Sequence, residues 1–275
     1  VLASEIYYPQ NVAELLDLMR RRPEAALYAG GSEILRTQSE PYARLPREIL
    51  CIAGLPELRQ VLLTERFVEI GAAVTLAEIL ELRESAVPEL LALAIRGVAN
   101  PAVRSLATLG GNLASGGRFM DCWPPLACLD ALAEIRDSQG AHWINVNRFA
   151  ASDGSPDFPK GKLVARIRVP LERWDFGALR KVGAKDYPSR ETAVFAVAAR
   201  VEKGLLTEFR MAFAGEVALR LREVENRLVG RRLPLDLRQR TAIAEEYRAA
   251  AEGLPSRLRV QFGTLVDGAL EILAR

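Results

Sequence analysis

The sequence predicts an α+β protein: a small α/β part, then an antiparallel sheet with helices, then a further antiparallel sheet with helices. Three observations predict it. A helix-period segment sits among short apolar runs in the first part of the chain. Strand-like runs, turn signals and capped helices then alternate up to Pro170. Beyond that, two long β-like runs are followed by three helical stretches. The expected division is residues 1–172, with subdomains of about 1–55 and 56–172, followed by residues 173–275, the last part beginning near Arg173.

Asn11 to Arg22 predicts a helix, because Val12, Leu15, Leu16 and Met19 recur on one face and Asn11 can cap the first turn. Ala25 to Tyr28 predicts a short buried strand, with Ala29-Gly30-Gly31-Ser32 after it and a helical turn next. Glu48 to Ala53 predicts a second strand. Phe67 to Ala72 predicts another, after which Thr75 and Glu78 form a capping box ahead of Ile79, Leu80 and Leu82. Pro88 to Ala99 predicts a helix that stops at Asn100-Pro101. Thr108 to Gly117 is polar and glycine-rich and is expected to be a loop, and Pro124 to Ala131 a short apolar helix. Ala133 to Arg136 and His142 to Val146 flank Asp137-Ser138-Gln139-Gly140 as a hairpin. Ala150 to Lys162 predicts a loop, and Leu163 to Val169 alternates apolar and basic residues like a half-exposed strand. In the last part, Thr192 to Val201 and Leu205 to Ala214 predict strands joined by Glu202-Lys203-Gly204. Glu216 to Leu228, Leu235 to Ala250 and Arg257 to Ala274 predict helices.

The composition excludes several classes of function. A net charge of +2, from 37 basic and 35 acidic side chains, argues against a dedicated nucleic-acid or anionic-membrane binder. Cys51, Cys122 and Cys128 are too few for a disulfide framework and fit a reducing compartment. No run approaches the roughly eighteen apolar residues of a membrane span, and Val1 to Gln10 lacks the marks of a signal peptide. A cytoplasmic location is the expectation. With His142 the single histidine, the chemistry is expected to come from a bound cofactor rather than from a side-chain acid or base; no catalytic or metal-ligating residue is assigned.

Two glycine loops are candidates for holding an anion. In Ala29-Gly30-Gly31-Ser32-Glu33-Ile34, glycines let a ligand approach the backbone, so that successive amides and the Ser32 hydroxyl can converge on a diphosphate. Thr108-Leu109-Gly110-Gly111-Asn112 is the second, extended by Ser115-Gly116-Gly117 and followed by Asp121. The plainer alternative for each is a tight turn without a ligand. Neither loop has the G-x-G-x-x-G or Gly-Lys-Ser/Thr pattern, so a Rossmann NAD domain and an ATPase both fit poorly.

With those loops in view, the chain resembles the FAD-binding subunits and domains of molybdenum hydroxylases, among them xanthine dehydrogenase, carbon monoxide dehydrogenase and 4-hydroxybenzoyl-CoA reductase. The resemblance rests on Tyr28 to Ile34, on Arg104-Ser105-Leu106-Ala107-Thr108-Leu109-Gly110-Gly111-Asn112-Leu113-Ala114 and on Pro124 to Ala131. It continues through Lys181-Val182-Gly183, Thr192-Ala193-Val194, Met211 to Gly215 and Arg227 to Gly230. It implies an FAD-binding domain in the first 172 residues and a C-terminal domain like that of the carbon monoxide dehydrogenase flavoprotein. Ala29, Gly30, Gly31, Ser32, Glu33 and Ile34 would wrap the FAD diphosphate. Thr108, Gly110, Gly111, Asn112 and Ser115 would line its other side, and Asp121 would accept hydrogen bonds from ribityl or ribose hydroxyls. Val164 would lie near one end of the cofactor. Lys181 would stand near the flavin ring, the alternative being a solvated strand residue.

The resemblance further implies a three-part complex. A molybdopterin-binding large subunit would oxidise the substrate, a small subunit with 2Fe-2S clusters would relay electrons, and the FAD here would hand them to NAD or another acceptor. Purine oxidation is the first expectation; carbon monoxide, an aromatic thioester and nicotinate are the alternatives, as is a structural or assembly subunit that has lost its flavin. Where relatives have Ser-Pro and small residues, this chain has Gly116-Gly117-Arg118-Phe119-Met120, with Arg118 expected either to touch a phosphate or to be a surface residue. Cys122 and Cys128 are expected to be packing thiols and His142 a structural residue of the hairpin. Gly183 to Arg190 is expected to gate the flavin, with Lys185 and Arg190 either meeting nucleotide phosphates or simply solvated.

Overall fold

Local capping chemistry starts the fold as expected. In the computed structural model, which describes residues 5–38, 44–115, 118–158, 161–183 and 189–274, strand β1 (Glu5–Tyr7) leads to helix α1 (Val12–Arg21). The Asn11 side chain accepts from the Glu14 amide. Then come β2 (Ala26–Tyr28), the one-turn α2 (Ser32–Arg36) and β3 (Glu48–Cys51). The strands form a parallel sheet in the order β1-β3-β2. β1 has no pattern of its own that announces it; it exists by pairing Ile6 with Ile49. β2 is half-buried rather than buried, since it lies at the sheet edge.

The middle of the chain supplies β4 (Val61–Leu63), β5 (Phe67–Gly71), α3 (Leu76–Glu81), α4 (Glu89–Arg96), α5 (Pro101–Arg104), α6 (Leu109–Leu113) and α7 (Trp123–Cys128). The hairpin β6 (Leu132–Asp137) and β7 (Gly140–Asn145) follows, then β8 (Leu163–Pro170). The sheet is antiparallel, in the order β4-β5-β8-β6-β7. The capping box of Thr75 and Glu78 is present.

Two expectations fail here. The helix from Pro88 ends at Arg96, and Asn100-Pro101 opens a helix rather than only closing one: Asn100 accepts from the Val103 amide, with proline in the first turn. The Gly110-Gly111-Asn112 stretch is helical, not a loop. Thr108 caps it by accepting from the Gly111 amide at 3.1 Å, and the Gly110 N–H donates to Ala72 O at 3.0 Å. Those contacts outweigh the poor helix propensity of two glycines.

Val68, Ile70, Ile135, Ile167 and Val169 point from one sheet face into the main core, where Ile79, Leu91, Ile95, Leu109, Trp123 and Leu126 of the helices meet them. β8 is half-exposed only in its second half. Leu163 and Ala165 pack instead with Val12, Leu15, Leu50 and Leu58, joining the first sheet to the second. On the outer face, Glu69 and Glu134 are buried beneath Arg166 and Arg168, and Arg168 lies over the rings of Phe67 and Trp143. His142 stands exposed on β7.

The last part consists of β9 (Phe176–Val182), β10 (Ala193–Glu202), β11 (Leu205–Ala214), β12 (Ala218–Leu219), α8 (Arg222–Leu228), α9 (Leu237–Ala250) and α10 (Ser256–Ile272). The sheet order is β12-β11-β10-β9, all antiparallel, with Lys203 and Gly204 at positive φ in the tight turn. The helix expected from Glu216 begins only at Arg222, because Ala218 and Leu219 pair with Ala214 and Phe213 as a strand. β10 is apolar without a break from Ala193 to Ala199, and β11 from Met211 to Ala214, because both faces are covered there. Phe195, Val197, Met211 and Phe213 meet Phe262 and Val266. Ala196, Ala198, Ala212 and Ala214 are small enough for α7 to pack on the opposite face within the main core. No helix among the described residues is long and apolar enough to cross a membrane.

Candidate functional site

The glycines matter first for how the chain approaches itself. A Cβ at Gly30 would fall onto the Leu106 carbonyl, so glycine there lets the loop after β2 touch the end of α5. Gly110 plays the same part against Ala72 after β5. Gly31 adopts φ 66° directly over the Tyr28 ring, where a side chain would be both strained and blocked. The two glycine segments thereby line one cavity of about 1010 Å³.

Every residue that the resemblance assigns to the cofactor lines that cavity: Ala29, Gly30, Gly31, Ser32, Glu33 and Ile34 from the first glycine segment, Thr108, Gly110, Gly111, Asn112 and Ser115 from the second, with Asp121, Val164 and Lys181 completing it. Their parts differ. The Gly31 position offers no side-chain cap to α2, so first-turn amides are left open towards a ligand. The Asn112 carbonyl oxygen is already engaged, accepting from the Cys122 amide at 3.0 Å, and so holds the Asp121 segment in place. Ser115 Oγ is buried without a hydrogen-bond partner among the described residues. Val164 gives an apolar wall from β8. Lys181 is not a solvated strand residue: Nζ donates to Asp121 Oδ2 at 2.7 Å, tying β9 to the segment before α7.

Sequence reasoning missed half of the wall. Val98, Ala99, Ala102, Val103 and Leu106 line the cavity with Ile52, Phe119 and Phe158, and nothing distinguishes these from ordinary core residues in the sequence. Arg36 and Lys162 also line it. Glu33 and Arg36 form a bidentate pair at 2.6 Å, and Lys162 pairs with Asp137 at 3.0 Å. Arg118 is no surface residue: it lines the cavity and donates to the Ser189 carbonyl at 2.8 Å and to the Thr192 carbonyl. Burial first, and then the nearby charge of Arg36, lower its pKa. The charged lining is Arg36, Arg118, Lys162 and Lys181 against Glu33 and Asp121, a surplus of two positive charges.

Cys122 and Cys128 are buried. Burial raises both thiols, Cys128 to about 12, so neither offers a thiolate at neutral pH. Gly116, Gly117 and Lys185 lie outside the described residues, as does most of the segment between Gly183 and Arg190. Arg190 pairs with Glu216 at 3.1 Å on the surface.

Open first-turn amides, an unpartnered hydroxyl, apolar walls and a surplus of positive charge fit an elongated ligand with a diphosphate spine and aromatic ends. Comparison with known proteins agrees in kind. A family model described as the FAD binding domain in molybdopterin dehydrogenase matches residues 2–172. The chain is 28% identical over 242 residues to a xanthine dehydrogenase FAD-binding subunit of Escherichia coli O157:H7, covering 86% of this chain and 82% of that one. It is 27% identical over 238 residues to the glyceraldehyde dehydrogenase medium chain of Sulfolobus acidocaldarius, with 83% and 82% covered. Among solved structures, a carbon monoxide dehydrogenase from Hydrogenophaga pseudoflava shares the fold at a TM-score of 0.83 and 24% identity, over 98% of this chain and 96% of that one.

Proposed function

This chain belongs to the family of FAD-binding domains of molybdopterin dehydrogenases, and on that premise we propose that it is the FAD-carrying electron-transfer subunit of a xanthine dehydrogenase-like complex. Its place is between iron–sulfur clusters on a small partner subunit and NAD or another acceptor, with the molybdenum cofactor on a large partner subunit. The observation that carries this reading is the single cavity lined by both glycine segments. FAD supplies the exchange between one-electron and two-electron transfer, which no side chain can provide. On this reading residues 1–172 form the FAD-binding domain and 173–275 the C-terminal domain.

The chain's own residues bind, orient and exclude water. Ala29 to Ile34 present backbone donors to the diphosphate, and Thr108, Gly110, Gly111, Asn112 and Ser115 line its other side. Ser115 Oγ, without a partner among the described residues, is ready for a hydroxyl or phosphate oxygen. Asp121 accepts from sugar-chain hydroxyls while Lys181 holds its carboxylate in place. Val164 and the wall from Val98 to Leu106 keep water from the aromatic ends. Lys181 also sets a positive charge within the cavity, which favours any negative charge that develops beside it.

The test is an absorbance spectrum of the purified chain before and after incubation with FAD and desalting. Flavin retained near one per chain is the expected result; bleaching by substrate and recovery with NAD in the assembled complex would extend it to electron transfer. No retained flavin, alone or in the complex, would overturn the assignment and favour a structural subunit.

A further inference from the structure

Arg118 is anomalous in its surroundings. It is half-buried and lines the cavity, yet no carboxylate lies within ion-pairing distance of it among the described residues. Its two hydrogen-bond acceptors, the Ser189 and Thr192 carbonyls, are neutral. Of the charged groups around it in the same cavity, Arg36 is of like sign, while Glu33 and Asp121 are already paired with Arg36 and Lys181. Arg220, buried elsewhere, shows the usual solution: it has both Asp130 and Glu225 as counter-ions. A guanidinium partly withdrawn from water, with no carboxylate in direct contact with it among the described residues, is costly unless an anion joins it. Nor is it free to swing out to solvent. The next amide, of Phe119, donates to the Gly215 carbonyl at 2.7 Å, and the Phe119 ring is packed 4.6 Å from that of Trp123.

Two of the five guanidinium N–H groups serve the carbonyls, which leaves three for a ligand in the cavity. The carbonyls belong to the segment leading into β10 and the Gly215 carbonyl to the end of β11, so Arg118 is fastened to the C-terminal sheet while facing the glycine segments of the first two sheets. We propose that Arg118 is an anion clamp: it holds the diphosphate of the bound dinucleotide while remaining tied to Ser189 and Thr192, so that nucleotide binding and docking of the C-terminal sheet are one linked event. This rests on the flavin reading and adds to it a residue that backbone recognition of the diphosphate does not require.

The experiment is a calorimetric titration of the full chain with FAD, with ADP and with riboflavin, which lacks phosphate, at low and high salt. Arg118→Ala is expected to weaken FAD and ADP by about tenfold or more, the scale of a charge-assisted hydrogen bond lost. It is also expected to flatten the salt dependence and leave riboflavin unchanged. Arg118→Lys keeps the charge without the planar fork, so it recovers salt dependence but only part of the affinity. Hydrogen exchange at residues 189–194 is expected to slow on adding ADP to the wild type and not to the alanine variant. If the alanine variant does not fold, Arg118→Lys and Arg118→Gln carry the same comparison. Unchanged FAD and ADP affinity in a folded variant would overturn the clamp alone; a wild type that binds neither would overturn the flavin reading and the clamp together.

Discussion

The adjacent glycines 110 and 111 should respond very unequally to the same substitution. An alanine Cβ at Gly110 would stand 2.7 Å from Ala72 O and 2.9 Å from Ala72 Cα, and would also strike Ala72 Cβ. No rotamer relieves a clash with backbone, so α6 must move away from the end of β5, and the bond from the Gly110 N–H to Ala72 O at 3.0 Å goes with it. Overpacking of about 1–3 kcal/mol and a lost hydrogen bond of about 1 kcal/mol put Gly110→Ala at roughly 2–4 kcal/mol of destabilisation. At Gly111 the new Cβ meets only Thr108 Oγ1, at 3.0 Å, and both glycines have helical rather than left-handed backbone. A gain of about 0.5–1 kcal/mol in helix propensity offsets that contact, so Gly111→Ala should change stability by less than about 1 kcal/mol. Urea unfolding followed by tryptophan fluorescence reads the difference, and thermal melting should place Gly110→Ala roughly 5–15 °C below the wild type. Equal loss in both variants, or a larger loss at Gly111, would refute the claim that Gly110 is required by chain packing and Gly111 is not.

Gly30→Ala should push the loop after β2 off the Leu106 carbonyl and abolish flavin retention while leaving the C-terminal sheet folded; a variant that keeps its flavin after desalting would contradict this. Asp130 receives Arg210, Arg220 and Arg222, and although burial alone would raise its pKa, Arg220 and the other two arginines hold it below the usual carboxylate range. Its folded-state pKa is depressed, so its contribution is complete above the unfolded value of about 4 and is lost as pH falls through the folded one. Asp130→Asn should therefore cost about 1–3 kcal/mol near neutrality, and the gap to the wild type should close in acid; a gap that persists unchanged would show that the charge is not involved. Of the three cysteines, Cys51 alone should react readily with a thiol reagent in the native protein, because Cys122 and Cys128 are buried and raised, whereas all three should react in denaturant. Rapid native reaction of more than one thiol counts against the packing described for α7.

What the sequence by itself determined is what is settled within a few residues. The caps of Asn11 and of Thr75 with Glu78, the turns at Asp137 to Gly140 and at Lys203-Gly204, and the apolar run Ala193 to Ala199 of β10 all depend on residues close together in the chain. The two glycine segments were legible for the same reason, as were the residues on them that line the cavity. Only the tertiary structure decided β1 and β4, three-residue strands whose existence depends on partners, and α6, a helix of glycines held by Thr108 and by Ala72. It decided the apolar wall from Val98 to Leu106, because a residue facing a ligand and one facing the core have the same hydrophobicity. It also decided Arg118. A lone arginine among glycines reads as a surface residue until carbonyls 71 and 74 positions away close over it, and no local pattern encodes a contact at that separation.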